Sequence, residues 1–223
     1  MKSNADNHGD DNDSKDVSLF ESIVDDISTK GYSVRDNALE PVLLDKLNDR
    51  IKLMSAAKFK RAGVGRHDDH TVKDLVRTDE ISWIEGDCDA EAAWIGWAES
   101  LQAYVNRRLF LGLFSFESHF AHYAPGDFYK KHQDSFKGEA NRVLSIVVYL
   151  NKDWLPDSGG ELLIYTADAG QSPVKVTPAY GTVAIFLSEE FPHEVLPSRR
   201  DRFSIAGWFR VNSSNFDRID PPK

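Results

Sequence analysis

After Gly112 the chain breaks into short apolar runs, each about the length of one β-strand. They occupy residues 116–123, 143–150, 161–165, 174–177, 182–187, 193–196 and 202–211. Turn chemistry separates them: APGD, PDSGGE, ADAGQSP, PAYG and PSRRD. Gly and Pro punctuate the backbone because one tolerates positive φ and the other fixes it. Many short strands with such turns predict an all-β sandwich or barrel.

The first half has a different period. Phe20, Ile23, Val24 and Ile27 recur at helical spacing, and Gly31 ends that helix. GYSVRDNAL reads as a short strand and turn. Pro41 sits where a first helical turn tolerates it, and Leu43, Leu44, Leu47, Ile51 and Met54 continue a second amphipathic helix. A third runs from about Asp89 to Leu109, with Trp94, Trp97, Leu101, Tyr104 and Val105 on or near one face as core. Between the second and third lies KFKRAGVGRHDDHTVKDLVRTDEISWIEG, rich in Gly, His and charge with little periodicity before Ile81. Its length suits a lid or binding loop. His67 and His70, with only aspartates between them, read as solvated charge rather than a second metal site.

The expected organisation is an acidic, disordered tail over 1–16 and one domain over 17–213. Within that domain, 17–115 supplies helical support and a mobile loop, and 116–213 the β core. Residues 214–223 form a C-terminal tail. Net charge is −9, which disfavours a broad grip on nucleic acid, since phosphate binding relies on Lys and Arg. No run approaches a membrane span and the N-terminus has no apolar signal region, so neither a membrane nor secretion is expected. The single Cys88 suits a reducing, cytoplasmic setting and leaves no internal disulfide.

The chemistry centres on YKKHQDSF. On an extended strand, His132 and Asp134 point to one face, so both reach one metal ion. His193, in FPHEVLP at the start of a later strand, completes a 2-His-1-carboxylate face with open positions, the donor set of non-haem Fe(II) sites. A histidine in a strand is by itself usually structural; the ordered combination carries the signal. Strand parity places Arg202, Ser204, Ala206, Trp208 and Arg210 on one face, with small residues beside Arg202. Arg199 and Arg200 lie close by, and periodicity alone does not choose Arg202 over them. Ser145, Val147 and Tyr149 share a face of an earlier strand, and an inward phenol at Tyr149 needs a partner.

With these segments assembled, the chain resembles the prolyl 4-hydroxylase type of 2-oxoglutarate- and Fe(II)-dependent dioxygenase. It is most similar to the intracellular hypoxia-sensing prolyl hydroxylases and their bacterial relatives. RTDEISWIEG, YAPGDFYKKHQD, VVYLNKDW, SGGELLIY, PHEV and RFSIAGWF carry the resemblance, over roughly Gly63 to Val211. It implies a mainly β fold: a double-stranded β-helix of the jelly-roll or cupin kind, backed by N-terminal α-helices. It implies iron ligation by His132, Asp134 and His193. It implies 2-oxoglutarate held by Arg202, with Tyr149, Tyr123 and Ser204 in the same pocket. Arg77 and Asp79 match a mobile loop that closes over a peptide substrate, and Trp208 and Tyr129 lie near iron and substrate; barrel packing alone also accounts for those two aromatics. The expected cofactors are Fe(II), 2-oxoglutarate and O2, with L-ascorbate as a family expectation. The expected partner is a proline-containing protein or peptide, converted with release of succinate and CO2.

Other readings keep part of this pattern. A hydroxylase of free amino acids or other small molecules would share the chemistry. A non-catalytic metal-binding sensor needs no dicarboxylate clamp, so Arg202 and Tyr149 argue against it. Asp134 fills the position that a halogenase leaves for halide. A zinc hydrolase could use the same ligands.

Overall fold

The computed structural model describes residues 9–54, 58–62, 76–135, 141–167 and 170–212. His67, His70, all of the sequence before Gly9 and all of it after Asn212 lie outside the described residues.

Helix α1 spans Gly9–Lys30, so its backbone is already helical upstream of Val17, within the segment expected to be disordered. Gly31 stops it at φ +79°, where a Cβ would press on the Phe191 ring at 2.7 Å. Strand β1 (Tyr32–Arg35) follows, then α2 (Pro41–Leu53), which opens on its proline. Strands β2 (Lys60–Arg61) and β3 (Glu80–Trp83) precede α3 (Asp89–Leu109). The β-rich half holds β4 (Ser115–Tyr123), β5 (Tyr129–His132), β6 (Arg142–Tyr149), β7 (Leu162–Ile164), β8 (Val174–Val176), β9 (Val183–Leu187), β10 (His193–Val195) and β11 (Arg202–Arg210).

Two antiparallel sheets result, as a double-stranded β-helix requires. The larger has the order β1-β9-β6-β11-β4-β3-β2, and the smaller the order β5-β10-β7-β8. The segment before 116 therefore contributes β1, β2 and β3 to the large sheet as well as helices. Part of the expected loop is strand: β3 pairs with β4, placing Ser82 opposite Phe120.

Alternation along the central strands divides two cores. Leu144, Ile146, Val148, Val183, Ile185, Ile205 and Phe209 face the helices and pack with Ile23, Leu47, Trp94 and Leu101. The opposite positions, among them Tyr149, Ala184 and Phe186, face the small sheet and meet Leu162, Ile164 and Val176. The helices thus cover one side of the large sheet, and the interior between the sheets is left for chemistry.

Candidate active site

A cavity of about 830 Å³ opens between the sheets. His132 and His193 are directly opposed on β5 and β10. Asp134 lies in a bend just after β5 rather than on a continuous strand, which corrects the expected strand geometry of the HxD pair. The bend still turns the carboxylate towards both imidazoles. His132 Nε2 lies 3.7 Å from Asp134 Oδ1, and His193 Nε2 lies 3.5 Å from Oδ2. One ligand atom from each residue falls within 4.8 Å of the others.

The backbone sets the tautomers. Nδ1 of His132 donates to the Lys130 carbonyl at 2.8 Å, and Nδ1 of His193 donates to the Phe191 carbonyl at 3.0 Å. A carbonyl can only accept, so each neutral ring keeps its proton on Nδ1 and a bare lone pair on Nε2, aimed at the shared space. Burial, helped by the neighbouring His193, holds the His132 pKa down to about 4, so the ring stays neutral. Burial alone would raise Asp134, but the two imidazoles and the Ser145 hydroxyl hold it at about 2. Ser145 Oγ donates to Asp134 Oδ2 at 2.7 Å and also meets Ser188 Oγ at 2.9 Å. Two imidazole Nε2 atoms and an oriented carboxylate are the donors that a non-haem Fe(II) ion takes, so the residues fit that metal.

A stack supports His132 from behind. Tyr129 lies against its ring, with centroids 3.5 Å apart and planes at 12°. The Arg77 guanidinium sits 4.3 Å over the other side of Tyr129. Arg77 makes a two-pronged pair with Asp79, Nε to Oδ1 at 2.8 Å and Nη2 to Oδ2 at 2.6 Å. Asp79 is buried, and the strand around Tyr129 is bonded to residues 76–78 through Lys130 N to Val76 O and Thr78 N to Phe128 O. Arg77 and Asp79 are therefore packed into the wall of the site.

Arg202 is 1% exposed, although it is an arginine in an Arg-rich turn. Its neighbours Arg199 and Arg200 are exposed and donate to the Asp157 and Asp153 carbonyls. Burial makes the choice that periodicity left open. Arg202 Nε donates to the Gly160 carbonyl at 2.9 Å, and Nη1 to Ser204 Oγ at 3.2 Å. Its guanidinium lies 4.7 Å from the Tyr123 ring centroid and 5.0 Å from that of Tyr149. Among the described residues no carboxylate forms an ion pair with it. Tyr149 is fully buried, its hydroxyl has no hydrogen bond of normal geometry among the described residues, and burial, partly offset by the nearby Arg202, pushes its pKa up to about 12. A buried cation without a counter-ion, beside a buried phenol, is costly unless an anion joins them. A carboxylate can accept from both.

Trp208 lines the other side of the cavity beneath Arg142, whose guanidinium is 3.6 Å from its ring centroid. Arg142 is itself held by Glu117 at 2.7 Å. Sequence reasoning missed Arg142, Glu117, Gly160, Ser188 and the wall residue His119. The first four act through long-range contacts that carry no local period. Ser145 was within reach, since it shares a face with Tyr149.

A family model described as the 2OG-Fe(II) oxygenase superfamily matches residues 118–210. A prolyl-4-hydroxylase of Pseudomonas putida, known from its crystal structure, is 37% identical with a TM-score of 0.79; the match covers 86% of this chain and 99% of that one. The chain belongs to the 2OG-Fe(II) oxygenase superfamily. A prolyl hydroxylase from Trichoplax adhaerens, solved with a hypoxia-inducible factor oxygen degradation domain peptide, is 26% identical with a TM-score of 0.79. That match covers 88% of the oxygenase and 91% of the solved chain. Human Egl nine homolog 1 is 27% identical over 85% of the oxygenase, which spans 46% of that relative's length. The protein is accordingly a 2-oxoglutarate-dependent dioxygenase that works with Fe(II) and O2. Among the described residues, no helix is long and apolar enough to cross a membrane.

Proposed function

We propose that this dioxygenase hydroxylates a prolyl residue of a protein substrate and releases succinate and CO2. The observation that carries the chemistry is the buried Arg202 beside the Tyr149 hydroxyl, with no carboxylate paired to the guanidinium among the described residues, in the cavity that holds His132, Asp134 and His193. The 37% identity to a prolyl-4-hydroxylase over nearly all of that protein supports prolyl carbon as the target.

His132, Asp134 and His193 would hold Fe(II). Held there, the metal would supply O2 activation coupled to oxidative decarboxylation of 2-oxoglutarate. Arg202, Ser204 and Tyr149 receive the distal carboxylate of the co-substrate, with Tyr123 closing over the guanidinium. That contact replaces the water a free carboxylate keeps. Tyr129, clamped by Arg77 and Asp79, fixes the His132 ring plane. Trp208 and Arg142 form the wall that a substrate chain would meet. L-ascorbate is the reductant proposed to sustain turnover, and the lone Cys88 supports a reducing, cytoplasmic setting.

The test is a cell extract supplied with Fe(II), 2-oxoglutarate and air, plus wild-type protein or Asp134→Ala. Added oxygen on peptides and succinate are scored by mass spectrometry in the same tube. Prolyl modification that appears only with wild type is the expected result. Succinate without any modified protein would move the substrate to a small molecule, and equal modification by Asp134→Ala would sink the reading.

A further inference from the structure

A second cavity of about 510 Å³ lies beside the first. The two are joined in two ways. Trp83, 46% exposed on β3, lines both. Glu117, which lines the second, is bonded to Arg142, which lines the first. Apolar side chains of Ile84, Ile95 and Phe116 floor the second cavity, and Phe114, 45% exposed, stands at its edge. Among the described residues, every charged residue lining it is a glutamate: Glu85, Glu99 and Glu117. Glu117 is occupied by Arg142 and Arg210, whereas Glu85 and Glu99 are exposed. The site described above uses none of Glu85, Glu99 or Phe114.

Resting on the prolyl hydroxylase reading, we propose that this groove holds the flank of the polypeptide whose target residue sits in the first cavity. The flank carries an apolar or aromatic side chain together with a lysine or arginine. Continuity across Trp83 gives one extended chain a path through both cavities. An apolar floor ringed by carboxylates selects an apolar anchor and a basic neighbour, and it repels an acidic one. Substrate choice then lies partly on the α3–β4 side of the molecule, away from the metal ligands.

The test uses a synthetic peptide library with a central proline and randomised flanks. It is captured on immobilised wild-type protein or on the double variant Glu85→Lys, Glu99→Lys, and the captured peptides are sequenced by mass spectrometry. Unchanged substrate-free turnover of 2-oxoglutarate shows that the variant is folded. Wild type is expected to enrich Lys and Arg on one side of the proline, by up to about fivefold per charge, and the variant to shift that side towards Asp and Glu. Identical flank composition on both proteins, or no enrichment by wild type, overturns the groove. Hydroxylation is scored in the same captured fraction. Basic flanks captured without hydroxylation support the groove and count against the prolyl hydroxylase reading; hydroxylation without flank selection does the reverse.

Discussion

The Nε of Arg202 donates to the carbonyl oxygen of Gly160 at 2.9 Å, and Gly160 makes room for it by adopting φ +68°. A Cβ there would lie 3.0 Å from Arg202 Cδ and 3.2 Å from Ser198 Oγ. Gly160→Ala should therefore displace the guanidinium as well as strain the backbone. The left-handed conformation alone costs a non-glycine residue about 1–2 kcal/mol. Thermal unfolding should fall accordingly, and calorimetric titration should show weaker 2-oxoglutarate binding. Unchanged binding would mean that Arg202 is not held through Gly160.

Arg202→Lys keeps the charge and loses the planar fork. Removing one partner of a buried charge pair costs about 2–5 kcal/mol. Because lysine keeps the charge, the expected loss falls below that range: a rise of about tenfold in the apparent KM for 2-oxoglutarate, equivalent to about 1.4 kcal/mol. Arg199→Lys, at an exposed position, should leave that KM unchanged. Equal effects at both positions would refute the assignment.

Ser145 donates to Asp134 Oδ2 from the large sheet and so aims a ligand it does not itself replace. Partners of this kind typically change metal affinity by about 10–100-fold. Ser145→Ala should weaken Mn(II) binding, followed by electron paramagnetic resonance, within that range. Ser145→Thr, which keeps the hydroxyl, should retain more affinity than the alanine variant.

His119 gives the metal-free protein a pH-dependent stability. It is 3% exposed, and burial, with Arg77 and Arg142 nearby, holds its pKa at about 4 against an ordinary 6.5. Between those values the unfolded chain binds a proton and the folded chain does not. Stability is therefore full above about 6.5, declines as pH falls, and stops declining on this account below about 4. The difference corresponds to about 3 kcal/mol. Urea unfolding across that window should show the slope, and His119→Phe should reduce it. An unaltered slope in His119→Phe would place the proton uptake elsewhere.

What the sequence revealed follows periodicity. β4, β6, β9 and β11 were legible because apolar residues alternate with others, and Arg202, Ser204 and Trp208 were placed on one face correctly. Strand β5 was assumed for the HxD pair but its bounds were not legible, because YKKH is short and charged and is held by pairing with β10 and with residues 76–78. Strand β3 was hidden for a similar reason: EISW is short and is held between β2 and β4, the latter more than thirty residues further along the chain. The early start of α1 was masked by a run of aspartates that reads as a solvated tail. His132, Asp134 and His193 were singled out by residue type and spacing, and the fold brings them together. The bend that aims Asp134, the hydroxyls that hold it and the groove beyond Trp83 depend on contacts between distant segments, which no local pattern records.

The division of the large sheet into a greasy side and a working side has a consequence for how such a chain can change over evolutionary time. In β11, Ile205 and Phe209 anchor the helices while Arg202 and Ser204 serve the cavity. A single-residue insertion at the start of that strand would exchange the two sets, turning Phe203 inward in place of Arg202. Stability and co-substrate binding would fail in one event. Natural variants should therefore carry length changes in the connections and almost none inside β6, β9 or β11, and grafted sequences should be joined only at the turns.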